Sequence, residues 1–171
     1  GVSRVQFPTW QSSKTSAGCT WYNGVHIGGG VWQFRFNDAA AEGYYTTHIY
    51  AWDTVGNSVC HDAGWTYVDK TGPQISNVKV TEKTADGYKV TCKVTDNMSV
   101  DRVQYPTWTE KNGQDDILGD WGTNSKARGR NCGNGVWEFY VKRSEHNGEF
   151  GNYITHIYAY DLDGNKNEYF M

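Results

Sequence analysis

The sequence predicts an all-β fold, an antiparallel β-sandwich built twice in tandem. Three observations point there: a long internal repeat, apolar residues that alternate with period two, and turn residues closing each alternating run.

The repeat divides the 171 residues into two copies. "VSRVQFPTW" at 2–10 returns as "VDRVQYPTW" at 100–108, an offset of 98. "GGVWQFRF" at 29–36 matches "NGVWEFYV" at 134–141, an offset of 105, and "THIYAWDTVGN" at 47–57 matches "THIYAYDLDGN" at 155–165, an offset of 108. The offset grows only between matched segments, as insertions in loops between fixed elements require.

Each matched segment reads as a strand. In "VWQFRF" the rings Trp32, Phe34 and Phe36 share one face, and Val31, Gln33 and Arg35 share the other. "QISNVKVTEK" at 74–83 and "GYKVTCKVTD" at 87–96 alternate in the same way, ahead of the second copy only. The first copy has no counterpart to these two strands, as if the chain began inside a repeat; the alternative is that the first copy borrows strands from elsewhere. "DTVGN" and "DLDGN" are hairpin turns; as a calcium loop, "DLDGN" has its glycine misplaced and its acidic spacing wrong. "DKTGP" at 69–73 is the linker, which gives domains at 1–72 and 73–171.

Composition removes several classes of function. Sixteen Lys+Arg stand against 19 Asp+Glu, so nucleic acid and anionic membrane are poor partners. No apolar run approaches the roughly 20 residues of a membrane span. Eight Trp and 12 Tyr in a chain of mean hydropathy −0.73 exceed what two small cores need, and rings on a wet surface are a binding signature. The cysteines fall two per copy and none forms a C-x-x-C pair, so zinc is not expected and neither is a cofactor. One disulfide per copy is expected, Cys19 with Cys60 and Cys92 with Cys132, with free thiols as the alternative.

"VQYPTW", "GQDDI" at 113–117, the following Trp121, "GVWEF" and "GNYITHIYAYDLDGN" together resemble the group B streptococcal Bsp-like repeat. The resemblance covers most of 74–171 and much of 2–72. The first copy lacks the Gln-Asp-Asp motif. The resemblance implies immunoglobulin-like modules of secreted or wall-associated bacterial proteins, often beside peptidoglycan hydrolases. Gly43-x-Tyr45 and Gly151-x-Tyr153 agree, since they enter their strands like the tyrosine corner of such sandwiches.

With Tyr45 and Tyr153 pointing inward, parity sends His48, Tyr50 and Trp52 outward in the first copy, and His156, Tyr158 and Tyr160 outward in the second. The same rule exposes Arg4, Gln6, Arg102 and Gln104 on the neighbouring strands. Trp10 and Trp108 follow prolines at a strand end and serve either as ligand contacts or as packing plugs, and Trp121 joins the candidates. A stripe of rings with Arg, Gln and His suits sugars, which stack their C–H faces on aromatics and hydrogen-bond through their hydroxyls. The alternative is that the stripe packs against a loop or the other copy. Trp32 and Trp137 are assigned to the core.

No catalytic set survives inspection. Asp115 and Asp116 read as a turn, and in "CHD" at 60–62 adjacent residues point to opposite faces and cannot form a relay with one another. His48 and His156 recur without a recurring nucleophile. The expectation is therefore a non-catalytic, extracellular module, monomeric within a larger chain, whose partner is cell-wall polysaccharide or peptidoglycan. A rigid spacer and a protein-binding adhesin are the alternatives.

Overall fold

The computed structural model describes residues 1–36 and 40–171, and every described strand pairing is antiparallel. The chain forms two compact units, Gly1–Asp69 and Lys70–Met171.

The first unit holds β1 (Val2–Gln11), β2 (Thr20–Asn23), β3 (Val25–Gly28), β4 (Val31–Gln33), β5 (Gly43–Asp53) and β6 (Ser58–Val68). One sheet runs β2-β1-β5-β6, and β3 and β4 form a separate hairpin. The expected strand through Phe36 ends at Gln33, although its rings still pack inward: Phe34 stacks on Phe7 at 4.6 Å and lies 5.2 Å from Tyr22.

The second unit adds β7 (Gln74–Thr84) and β8 (Gly87–Thr95) at the two alternating runs, then β9 (Val100–Gln104), β10 (Thr107–Thr109), β11 (Arg130–Gly133), β12 (Val136–Lys142), β13 (Tyr153–Asp161) and β14 (Lys166–Phe170). Tyr105 and Pro106 separate β9 from β10, whereas β1 runs unbroken through the matching Pro8, where it also pairs with β2. The sheet β11-β12-β8-β7 faces the sheet formed by β9, β10, β13 and β14. Their shared core holds Val90, Val94, Val103, Tyr105, Trp137, Val141, Ile157 and Ala159, each at most 5% exposed. Two facing sheets with apolar residues of alternating parity between them make an antiparallel β-sandwich.

Alternation thus predicts the inward side chains of the second unit correctly. In the first unit β4 pairs only with β3, and no described strand stands where β8 pairs with β12. Trp32 is accordingly half-buried, whereas its counterpart Trp137 is 5% exposed.

Local chemistry pins both copies alike. The Tyr45 hydroxyl donates to the Ala41 carbonyl at 3.0 Å and that of Tyr153 to Glu149 at 2.8 Å, each four residues upstream, as in a tyrosine corner. Both hairpin turns are closed by an aspartate. Asp53 accepts from the Val55 and Asn57 amides and from the Asn57 side chain, and Asp161 accepts from the amide and side chain of Asn165. The Asn57 bond, foremost among these, holds the Asp53 carboxyl below its ordinary pKa. Gly24 and Gly129 match at offset 105, and each passes against an inward ring. A Cβ on Gly24 would lie 2.8 Å from the Phe7 ring, and one on Gly129 would collide with Tyr105.

Candidate functional site

Both units carry aromatic, imidazole and guanidinium groups on the outer face of the sheet containing β5 or β13. In the first unit Trp10 meets the His48 ring edge-on at 4.9 Å. Tyr50 lies 5.0 Å from Trp21 and stacks 5.7 Å from Trp52, and the Arg4 guanidinium sits 4.2 Å above Trp52. Gln6 donates to the Asn23 side chain at 2.8 Å. Strand register produces this row: β1 places Arg4 opposite Trp52 and Gln6 opposite Tyr50.

The second unit repeats the pattern. Trp108 meets His156 at 4.8 Å, Tyr158 lies 4.5 Å from Trp121, and Arg102 sits 4.0 Å above Tyr160. Phe170, opposite His156 on β14, adds a ring at 4.3 Å, and Lys166 Nζ lies 5.5 Å from the Tyr158 ring.

The two faces differ in access. Trp21 is 47% exposed, and Tyr50 and Trp52 are half-buried. In the second unit residues 121–129 run beside β9: the Tyr105 amide donates to the Ala127 carbonyl, and the Gly129 amide to Val103. Gln104, expected on the surface, is 0% exposed and donates to the Trp121 carbonyl at 2.8 Å. Trp108 is 8% exposed and acts as a packing plug. Parity turns Gln104 outward but this segment covers it, and of the two roles open to Trp108 its burial fits the plug. Arg102 is also engaged, 2.6 Å from Asp101.

Partial burial marks the electrostatics. It lowers the His156 pKa, which Glu168 only partly offsets, and it raises that of Tyr158. His156 is therefore a neutral hydrogen-bonding group near pH 7.

The expected disulfides are absent: Cys19, Cys60, Cys92 and Cys132 are free thiols. Cys60 lies on β6 and Cys19 precedes β2, on opposite edges of a sheet with two strands between. At roughly 4.8 Å per strand, that span exceeds the Cα separation a disulfide bridges. Cys92 points into the core, where its sulfur lies 3.2 Å from the Tyr105 hydroxyl and burial raises its pKa. Cys132 is exposed on β11, one strand beyond β12.

Asp115 and Asp116 do not act as a pair. Asp115 is exposed, whereas the Asp116 side chain is fully buried, accepts from the Thr109 amide at 3.1 Å and meets His146 Nδ1 at 3.1 Å. It ties the loop after β10 back to that strand.

Trp21, Phe170 and Lys166 are contacts that sequence reasoning overlooked, and Trp21 is the most telling. At offset 105 it aligns with Lys126, not Trp121, yet both indoles reach the matching tyrosines Tyr50 and Tyr158. Only the convergence in space reveals the equivalence.

The second unit is thus an antiparallel β-sandwich with rings and cations on one sheet face. The model of the GBS Bsp-like repeat matches residues 76–170, and the chain belongs to that family. Membership suggests a repeat module of surface proteins. No curated protein matches the chain. Among the described residues no helix is long and apolar enough to cross a membrane.

Proposed function

We propose that the chain is a non-catalytic, carbohydrate-binding accessory segment of a larger secreted or wall-associated bacterial protein, such as a peptidoglycan hydrolase. In this reading residues 1–72 are a first Bsp-like repeat, and the partner outside the cell is wall polysaccharide or peptidoglycan. The carrying observation is recurrence: two units present Trp on His, Trp on Tyr and Arg over an aromatic ring at matching places. Tandem weak sites gain avidity, and aromatic faces with adjacent donors suit sugar rings.

Affinity centres on the first unit, where Trp21, Tyr50 and Trp52 remain accessible. The covered Gln104 and buried Trp108 favour a second reading for the other unit, a packing or spacer role. Sedimentation with purified walls, with and without accessory polysaccharide, tests both. Tyr50→Ala is expected to lose about 1 kcal/mol of wall affinity, roughly fivefold, with little change in melting temperature. Absence of wall binding in the unaltered chain sinks the glycan reading.

A further inference from the structure

At the edge of the first unit's aromatic face, β5 and β6 bring a thiol, an imidazole and a carboxylate together. Cys60 Sγ lies 3.9 Å from His48 Nδ1, and His48 Nε2 lies 3.8 Å from Asp62 Oδ1. The first distance is a hydrogen-bonding contact for sulfur and the second an ion-pair contact.

A bulge creates this constellation. Thr46 pairs with Trp65, but the next pair is His48 with Asp62, so β5 advances two residues while β6 advances three. Without the extra residue Ala63 would face His48. The bulge is held by Asp62 itself, whose Oδ1 accepts from the Gly64 amide at 2.8 Å, Gly64 having φ +84°. Bulges of this kind re-aim side chains beside functional sites. Cys60 then follows two residues along the same face, opposite Tyr50. The histidine that completes the Cys-His-Asp arrangement is therefore His48 from the neighbouring strand, not His61. Nucleophile–base–orienter sets are recognised by such geometry and not by sequence order.

The second unit lacks the chemistry. There His156 faces Phe170 and Tyr158 faces Glu168. Sugar binding requires no thiol, so the first unit's set stands independently of the glycan reading. Cys60 is exposed, and the His48 and Asp62 side chains are 33% and 69% exposed, so a reagent reaches all three.

We infer that Cys60 is a nucleophilic modification site, activated by His48, with Asp62 positioning the imidazole, and that it takes up disulfide-bearing molecules. In the step, the thiol proton passes to His48 Nδ1 and the Cys60 thiolate attacks one sulfur of the disulfide. The S–S bond breaks as the Cys60–S bond forms, and the departing thiolate takes the proton from His48. The disulfide is the oxidant, so electrons balance without another reagent.

Cys132, also exposed, is the reference within the same molecule. The full chain is treated with limiting iodoacetamide, or with 2-hydroxyethyl disulfide, and each cysteine is followed by peptide mass mapping. The ratio of Cys60 to Cys132 rates is expected to fall about fivefold in His48→Gln, as loss of the imidazole that takes the thiol proton requires. Peptide mapping is also expected to show the mixed disulfide at Cys60 before Cys132. An unchanged ratio in a His48→Gln chain that melts normally overturns the inference. If His48→Gln lowers the melt, Asp62→Asn is read instead; a fall of about twofold supports the inference, and no fall refutes it.

Discussion

Trp32 and Trp137 are the same letter of the repeat, yet replacing them with alanine is expected to cost very different amounts. Trp137 is 5% exposed on β12, opposite Cys92 of β8, and belongs to the core that joins the two sheets. Removing a buried indole leaves a cavity that the surrounding strands fill only partly, a loss of roughly 3–5 kcal/mol. For a unit of this size each kcal/mol moves the midpoint by about 4–8 °C, so the second unit should melt roughly 12–40 °C lower. Trp32 is half-buried, pairs through β4 with β3 alone and meets the His26 ring at 5.0 Å. Its replacement gives up part of one side chain's burial, about 1–2 kcal/mol. Thermal melts of both variants, with hydrogen exchange on peptides from β8 and β5 to assign each transition to its unit, measure the difference. Equal losses, or a larger loss for Trp32→Ala, would refute the claim that cover by β8 separates the two sites.

Two other outcomes follow from the same structure. Gly87 has φ +154°, and a Cβ there would collide with the Val141 carbonyl across the ladder, so Gly87→Ala is expected to cost about 2 kcal/mol or more, read as an early melt of the second unit. His156 has a lowered pKa in the fold because burial disfavours its charge, so the unfolded chain binds the extra proton more readily. Its contribution is present above about 6.5 and lost as pH falls, so the second unit's melting temperature should decline between about pH 7.5 and 5, and His156→Gln should flatten that decline. Parallel slopes for the two proteins would remove His156 from the account.

Much of the fold was legible in the letters because strand alternation is a property of the local backbone. Once Tyr45 and Tyr153 are inward, period two dictates the side of the sheet for His48, Tyr50, His156 and Tyr158, whatever surrounds them. The aspartate-closed turns are local as well, since Asp53 and Asp161 bond groups within four residues. Cover and neighbourhood are not local. Gln104 reads as an outward side chain, and only residues 121–129 returning beside β9 bury it. Trp21 and Trp121 reach matching tyrosines from unmatched places in the chain. The cysteine pairing fails because strand order separates Cys19 from Cys60. His48 meets Cys60 and Asp62 because one extra residue in β6 shifts the register. Parity needs only a residue's immediate neighbours; access, pairing and register depend on contacts between residues far apart in sequence, and these the tertiary structure alone decides.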